Sequence, residues 1–214
     1  LFLEIMKWFI LKKGLISYSP AHVGAFLKSS PEIDLPDLQF VFTPASYTEG
    51  MIGKLQNIPG ITCGVWQSRP QSRGYVRALS SHIKDAPLIQ PNYLKETIDQ
   101  DVLIQGVKIC RDLLKTSKMK KISIKETLPG ENIKTDSEIL NFIKNNGATV
   151  YHAIGSCRMG IDKDAVVDAN LKLNGVENLR VADASIMPTM PSGNTNAATL
   201  MIAEKASDLI KKDM

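Results

Sequence analysis

The order in which two hydrophobic periodicities occur constrains this chain most. Runs rich in β-formers come first, at residues 38–42, 61–67 and 74–79. The first alternates and stops at Pro44, and the turn-like Ser68-Arg69-Pro70-Gln71-Ser72-Arg73 separates the other two. Short strands joined by such connections predict an antiparallel sheet. A helical period comes next, over residues 93–115, carried by Ile98, Val102, Val107, Ile109, Leu113 and Leu114. A second helix is marked by Thr135 as N-cap, Glu138 three residues on, the apolar Ile139, Leu140, Phe142 and Ile143, and a closing Gly147. The order is mixed rather than regularly alternating, so the expected class is α+β.

Residues 1–11 read as an amphipathic helix ended by Gly14 as C-cap. This start is neither a membrane span, which needs about 20 mainly apolar residues, nor a secretory signal, whose charges precede the apolar run. With Leu rather than Met first, it reads as the inside of a longer protein. A linker-like segment with Ser17, Ser19 and Pro20, then Ser29, Ser30 and Pro31, comes after it. Later, residues 148–152 and 179–182 read as short strands. The last helix starts at Thr195 or Asn196 and runs to Lys212, with Ala197, Met201, Ile202, Ala206, Leu209 and Ile210 on one side.

Composition removes several function classes. The 26 basic and 22 acidic side chains leave +4, too weak and scattered for a nucleic-acid partner. Three cysteines, Cys63, Cys110 and Cys157, contain no C-x-x-C pair and suit a reducing compartment. None of the fourteen glycines forms a GxG, so neither a Rossmann fingerprint nor a P-loop lies in these residues.

Two passages could carry chemistry. Of the three histidines, His22 and His82 sit in polar loop contexts, whereas His152 opens into the glycine-bounded Gly155-Ser156-Cys157-Arg158-Met159-Gly160. A structural, hydrogen-bonded His fits the same pattern. A zinc site with Cys157 lacks evident third and fourth ligands, so no metal is expected. The second passage, residues 183–196, runs through Pro188, Pro191 and Gly193 to a helix N-terminus able to favour negative charge. Simple capping by Asn194 or Thr195 is the alternative.

Tyr151-His152-Ala153-Ile154-Gly155-Ser156-Cys157-Arg158-Met159-Gly160, Ala165-Val166-Val167-Asp168, residues 179–189, Ser192-Gly193-Asn194-Thr195-Asn196-Ala197 and residues 201–206 occur in a fixed order. Together they resemble the C-terminal region of the glucose-methanol-choline (GMC) oxidoreductases, especially choline-dehydrogenase-like and alcohol-dehydrogenase-like members. The resemblance reaches back through residues 70–74 and 91–94, with Ala153 departing from a frequent Pro.

The resemblance implies a fold with an antiparallel or mixed substrate-domain sheet and packed helices, plus the last elements of an FAD-binding α/β domain. Residues 1–157 would belong to the substrate-binding domain, without its N-terminal part, and residues 158–214 would return to the FAD domain. By the same resemblance, the cofactor would be FAD and the reaction oxidation of a primary alcohol to an aldehyde. His152 would be the catalytic base and Asn194 its partner on the substrate oxygen. Asp183, Ala184, Asn194, Thr195 and Asn196 would face the cofactor, the last two at the helix end favouring reduced flavin. Cys157 would pack near the base and Arg158 would anchor its loop. Partners would be a small-molecule alcohol and an electron acceptor, a quinone or another, with a dehydrogenase preferred over an oxidase. The setting would be cytoplasmic, with peripheral membrane association left open. The competing expectation is a non-catalytic fragment or binding module that cannot bind FAD alone.

Overall fold

The structure is a computed structural model that describes residues 2–14, 17–19, 21–48, 54–123 and 125–213. Leu1 and Pro20, included in the sequence expectations, lie outside the described residues. The class is α+β, as expected. The chain divides into two compact units, each built from two stretches: Leu1–Trp66 with Val102–Ala148, and Gln67–Asp101 with Thr149–Met214.

In the first unit, helix α1 (Phe2–Leu11) precedes a sheet of order β1-β2-β3: Val23–Leu27, Leu38–Thr43 and Thr62–Gln67. β1 and β2 pair antiparallel, with Val23 opposite Phe42 and Leu27 opposite Leu38. β2 and β3 match the expected strands, but β1 falls in the segment read as a linker. Its five residues include a glycine and no fully buried side chain. Leu38 and Phe40 are fully buried, and Val102 and Cys110 of helix α2 (Thr97–Leu114) join them in one core. Gln39 alternates with these apolar residues yet is also buried, its amide oxygen accepting from the Trp66 indole N–H at 3.0 Å.

α1 ends differently from expectation. Lys12, not Gly14, takes the first left-handed position at φ 53°, and its N–H bonds Trp8 O at 2.9 Å. Its ammonium also lies 4.6 Å over the Trp8 ring, an attractive cation–π contact. Helix α3 (Asp136–Asn146) meets its expected signals: Thr135 Oγ1 accepts from Glu138 N, and the Glu138 carboxylate accepts from Thr135 N.

In the second unit, β4 (Tyr75–Arg77) and β5 (Leu88–Gln90) form an antiparallel pair, of which β5 was not expected. The Asp99 carboxylate, 1% exposed, gathers the chain ahead of them, accepting from Gln67 Nε2 at 2.9 Å, Gln71 N at 2.8 Å and Ser72 N at 2.7 Å. Burial pushes its pKa up, but these donors together outweigh burial and hold it below the usual carboxylate range.

The rest of this unit is built on α4 (Asn196–Lys212), the expected final helix. Its Ile202 and Ala206 pack with Val167, Leu171, Ile186 and Met187. The strands expected at 148–152 and 179–182 do not form. Tyr151 has φ 61°, outside the extended region a strand requires. Around Arg180 there is only an isolated antiparallel bridge to Lys172, closed by Leu173 N to Leu179 O and Val181 N to Leu171 O.

Candidate functional site

His152 is presented by a loop whose backbone is fixed on both sides. Tyr151 N donates to Thr149 Oγ1 at 3.0 Å before it. After it, Ile154 packs on the core and Gly155 turns the chain at φ 82°, where an added Cβ would lie 3.3 Å from Met187 O. Cys157 N then bonds Ser185 O at 3.0 Å, and Met159 N bonds Ile186 O at 2.8 Å. The loop is thereby tied to the short 3-10 turn Ala184–Ile186.

Asn194 and Thr195 approach from the start of α4. Ser192, just ahead of them, receives a hydrogen bond from Arg69 Nε at 2.9 Å, which steadies the proline-containing segment. Across 42 residues of sequence, Asn194 Nδ2 lies 3.1 Å from His152 Nε2. On the other side of the ring, His152 Nδ1 lies 2.9 Å from Thr195 Oγ1. His152 is half-buried, Asn194 exposed and Thr195 buried. An amide nitrogen can only donate, so Nε2 presents its lone pair to Asn194. Such a ring nitrogen can take a proton.

Thr195 precedes α4 without a side-chain cap, its hydroxyl being engaged by His152. By helix geometry, the first-turn N–H groups from Asn196 onward lack intrahelical acceptors. That end of the helix suits a polar or negative group, and Asn196 is exposed there. Asp183 is exposed, and its carboxylate accepts from Ser185 N at 2.7 Å. The Ser185 hydroxyl and backbone N–H hold its pKa below the usual range. Ala184 is half-buried beside the core, and its carbonyl accepts from Met187 N at 3.2 Å.

Arg158 grips Asp162 through two hydrogen bonds, which keep the Asp162 carboxyl well below its ordinary range. This pairing occupies Arg158 within its own loop. His22 belongs to the other unit, where its N–H bonds Phe42 O, and His82 sits 3.6 Å from Asp85 on an exposed turn. Among the described residues no three His, Cys, Asp or Glu side chains gather as a metal site, and no helix is long and apolar enough to cross a membrane. The contact of the Thr195 hydroxyl with His152 was hidden from the sequence, where Thr195 reads as a cap or a backbone donor.

The family model described as GMC oxidoreductase, for the C-terminal part, matches residues 70–203. The chain belongs to the GMC oxidoreductases. This GMC chain is 41% identical over 212 residues to an alcohol dehydrogenase [acceptor] of Pseudomonas putida, covering 98% of this chain and 38% of that protein. It is 38% identical over 209 residues to the mitochondrial choline dehydrogenase of Homo sapiens, covering 96% and 35%. Among solved structures, pyridoxine 4-oxidase from Mesorbium loti superposes with a TM-score of 0.80 at 30% identity, over 88% of this chain and 37% of that one. The chain therefore spans little more than a third of the length of these relatives, and both the motifs at His152 and Asn194 lie inside the matched region.

Proposed function

We propose that this chain is the C-terminal part of an FAD-dependent alcohol-oxidising GMC enzyme, in which His152 accepts the hydroxyl proton of a primary alcohol and Asn194 holds the same oxygen. The observation that carries this reading is the 3.1 Å approach of Asn194 Nδ2 to His152 Nε2. It places one proton acceptor and one hydrogen-bond donor together, the pair needed to receive a proton and steady the alkoxide-like oxygen left behind. An entering hydroxyl takes Asn194's place on Nε2, while the amide turns to donate to that oxygen.

Bound FAD would supply the two-electron acceptor, taking the hydride from the carbinol carbon at N5. The residues present fit such a group. The Thr195 side chain does not cap α4, and the N–H groups near Thr195 and Asn196 are suited to the electron-rich edge of a reduced flavin. Backbone groups around Asp183 and Ala184 would meet another part of the cofactor. On the family plan, residues 1–157 would serve substrate binding and residues 158–214 would join the FAD domain. The relatives named alcohol and choline dehydrogenase favour a choline-like, aliphatic or aromatic primary alcohol and an acceptor such as a quinone.

The test is His152→Ala in the full-length, FAD-loaded enzyme, with flavin reduction by alcohol monitored in a stopped-flow instrument. A positioned general base contributes about 10²–10⁴-fold, so reduction should slow by that order while FAD content holds. An unchanged reduction rate overturns the reading.

A further inference from the structure

We propose that Thr195 is a positioning residue that keeps the proton of neutral His152 on Nδ1 and thereby leaves Nε2 free to act as the base; the inference rests on the reading of His152 as that base. A neutral imidazole has one N–H and one lone pair, and the hydrogen bond at one nitrogen decides the state of the other. Asn194 Nδ2 faces Nε2 at 3.1 Å and, as a donor, requires a lone pair there. The ring proton is then on Nδ1. The atom opposite Nδ1 is Thr195 Oγ1, at 2.9 Å, and it must accept.

The surroundings hold that hydroxyl in place. Thr195 is buried, and its carbonyl receives both Thr199 N at 2.9 Å and Thr199 Oγ1 at 2.8 Å in the first turn of α4. A β-branched side chain on a fixed backbone has few rotamers, so the hydroxyl does not wander from Nδ1. The opposite arrangement, with Thr195 donating to Nδ1, would put the proton on Nε2 and leave no lone pair to receive the substrate's proton. After proton transfer to Nε2 the ring is an imidazolium. Its Nδ1–H still donates to Thr195, so this contact serves both states of the base.

Thr195→Val keeps the shape and removes the acceptor, whereas Thr195→Ser keeps the hydroxyl. In the full-length, FAD-loaded enzyme with ¹⁵N-labelled histidine, the imidazole nitrogens of His152 are assigned by their loss in His152→Gln. At a pH where the ring is neutral, the wild type should show a protonated Nδ1 and a bare Nε2. This is read without a Thr195 variant. Thr195→Val should shift the ring toward a protonated Nε2 and slow flavin reduction about 10-fold, the scale of one lost hydrogen bond, with FAD content retained. Thr195→Ser should restore the wild-type tautomer and bring reduction back to within about threefold.

A wild-type ring protonated on Nε2 overturns the proposal, as does Thr195→Val with unaltered tautomer and rate. An impaired His152→Ala beside a fully active Thr195→Val overturns the role of Thr195 alone. A fully active His152→Ala overturns the base reading and this inference with it.

Discussion

Cys63 on β3 and Cys110 on α2 face each other with their sulfurs 3.0 Å apart. The hydrogen bond from Cys110 lowers the pKa of the Cys63 thiol, against the opposing effect of burial. The shared hydrogen bond, burial, and the nearby charges of Cys63 and Glu126 push Cys110 up. Because the thiolate is the nucleophile, Cys63 should be alkylated at lower pH than Cys110. Removing the donor with Cys110→Ala should move Cys63 alkylation to higher pH. Peptide mass mapping after timed iodoacetamide treatment checks both, and earlier labelling of Cys110 would contradict the assignment.

Exchanging Asn194 for Asp tests the polarity of the contact rather than its shape. A carboxylate facing Nε2 can only accept, so the ring must carry a proton there, either by changing tautomer or by becoming an imidazolium. Either state would remove the proton acceptor proposed at His152. Flavin reduction in the full-length enzyme should fall about 10²-fold or more, and more steeply than in Asn194→Ala, which removes the donor without forcing a proton onto the ring.

Asp99 supports the second unit through charge. Its pKa is lowered in the folded protein, so its contribution is fully present above the unfolded carboxyl value near 3.9 and is lost as pH falls through the lower folded value. Asp99→Asn should cost about 2–3 kcal/mol at neutral pH, because hydrogen bonds to a charged acceptor are lost and one N–H is turned against another. The local readout is amide exchange at Gln71 and Ser72, which should accelerate about 30- to 150-fold if opening tracks that cost. The variant should also lose less stability than the wild type on acidification below about pH 4.

Gly106 is a helical glycine with a packing reason. A Cβ there would come 2.8 Å from Val65 Cγ2 and 3.2 Å from Leu38 Cδ2. Alanine would gain about 1 kcal/mol of helix propensity but incur about 1–3 kcal/mol of overpacking against a fully buried leucine and a stiff valine. Gly106→Ala should therefore lower the unfolding midpoint. An increase would show that Val65 gives way freely.

Elements with strong local chemistry were legible in the sequence. The Thr135–Glu138 capping box, the long period of α2 and the apolar side of α4 each depend on neighbours a few residues away. β1 was missed because its five residues carry little alternation and gain their place by pairing with β2. Residues 148–152 and 179–182 have the composition of strands, but Tyr151 turns left-handed in the first and the second pairs only through the single Lys172–Arg180 bridge. His152 and Asn194 could be singled out through family resemblance. Their contact could not be read from spacing, nor could the turning of the Thr195 hydroxyl away from the helix it precedes.

The main chain passes from one unit to the other at 66/67, returns at 101/102 and leaves again at 148/149. No single cut yields either unit whole. The first must close its core around an excursion through residues 67–101, and the second must wait for residues 149–213 before the Arg69 and Ser192 side chains can meet. Such distant pairings carry a loop-closure cost before they bring any reward, which slows folding. Each unit is assembled from two separated segments, so a truncation that removes residues 149–214 strands residues 67–101, and one that removes residues 1–66 strands residues 102–148.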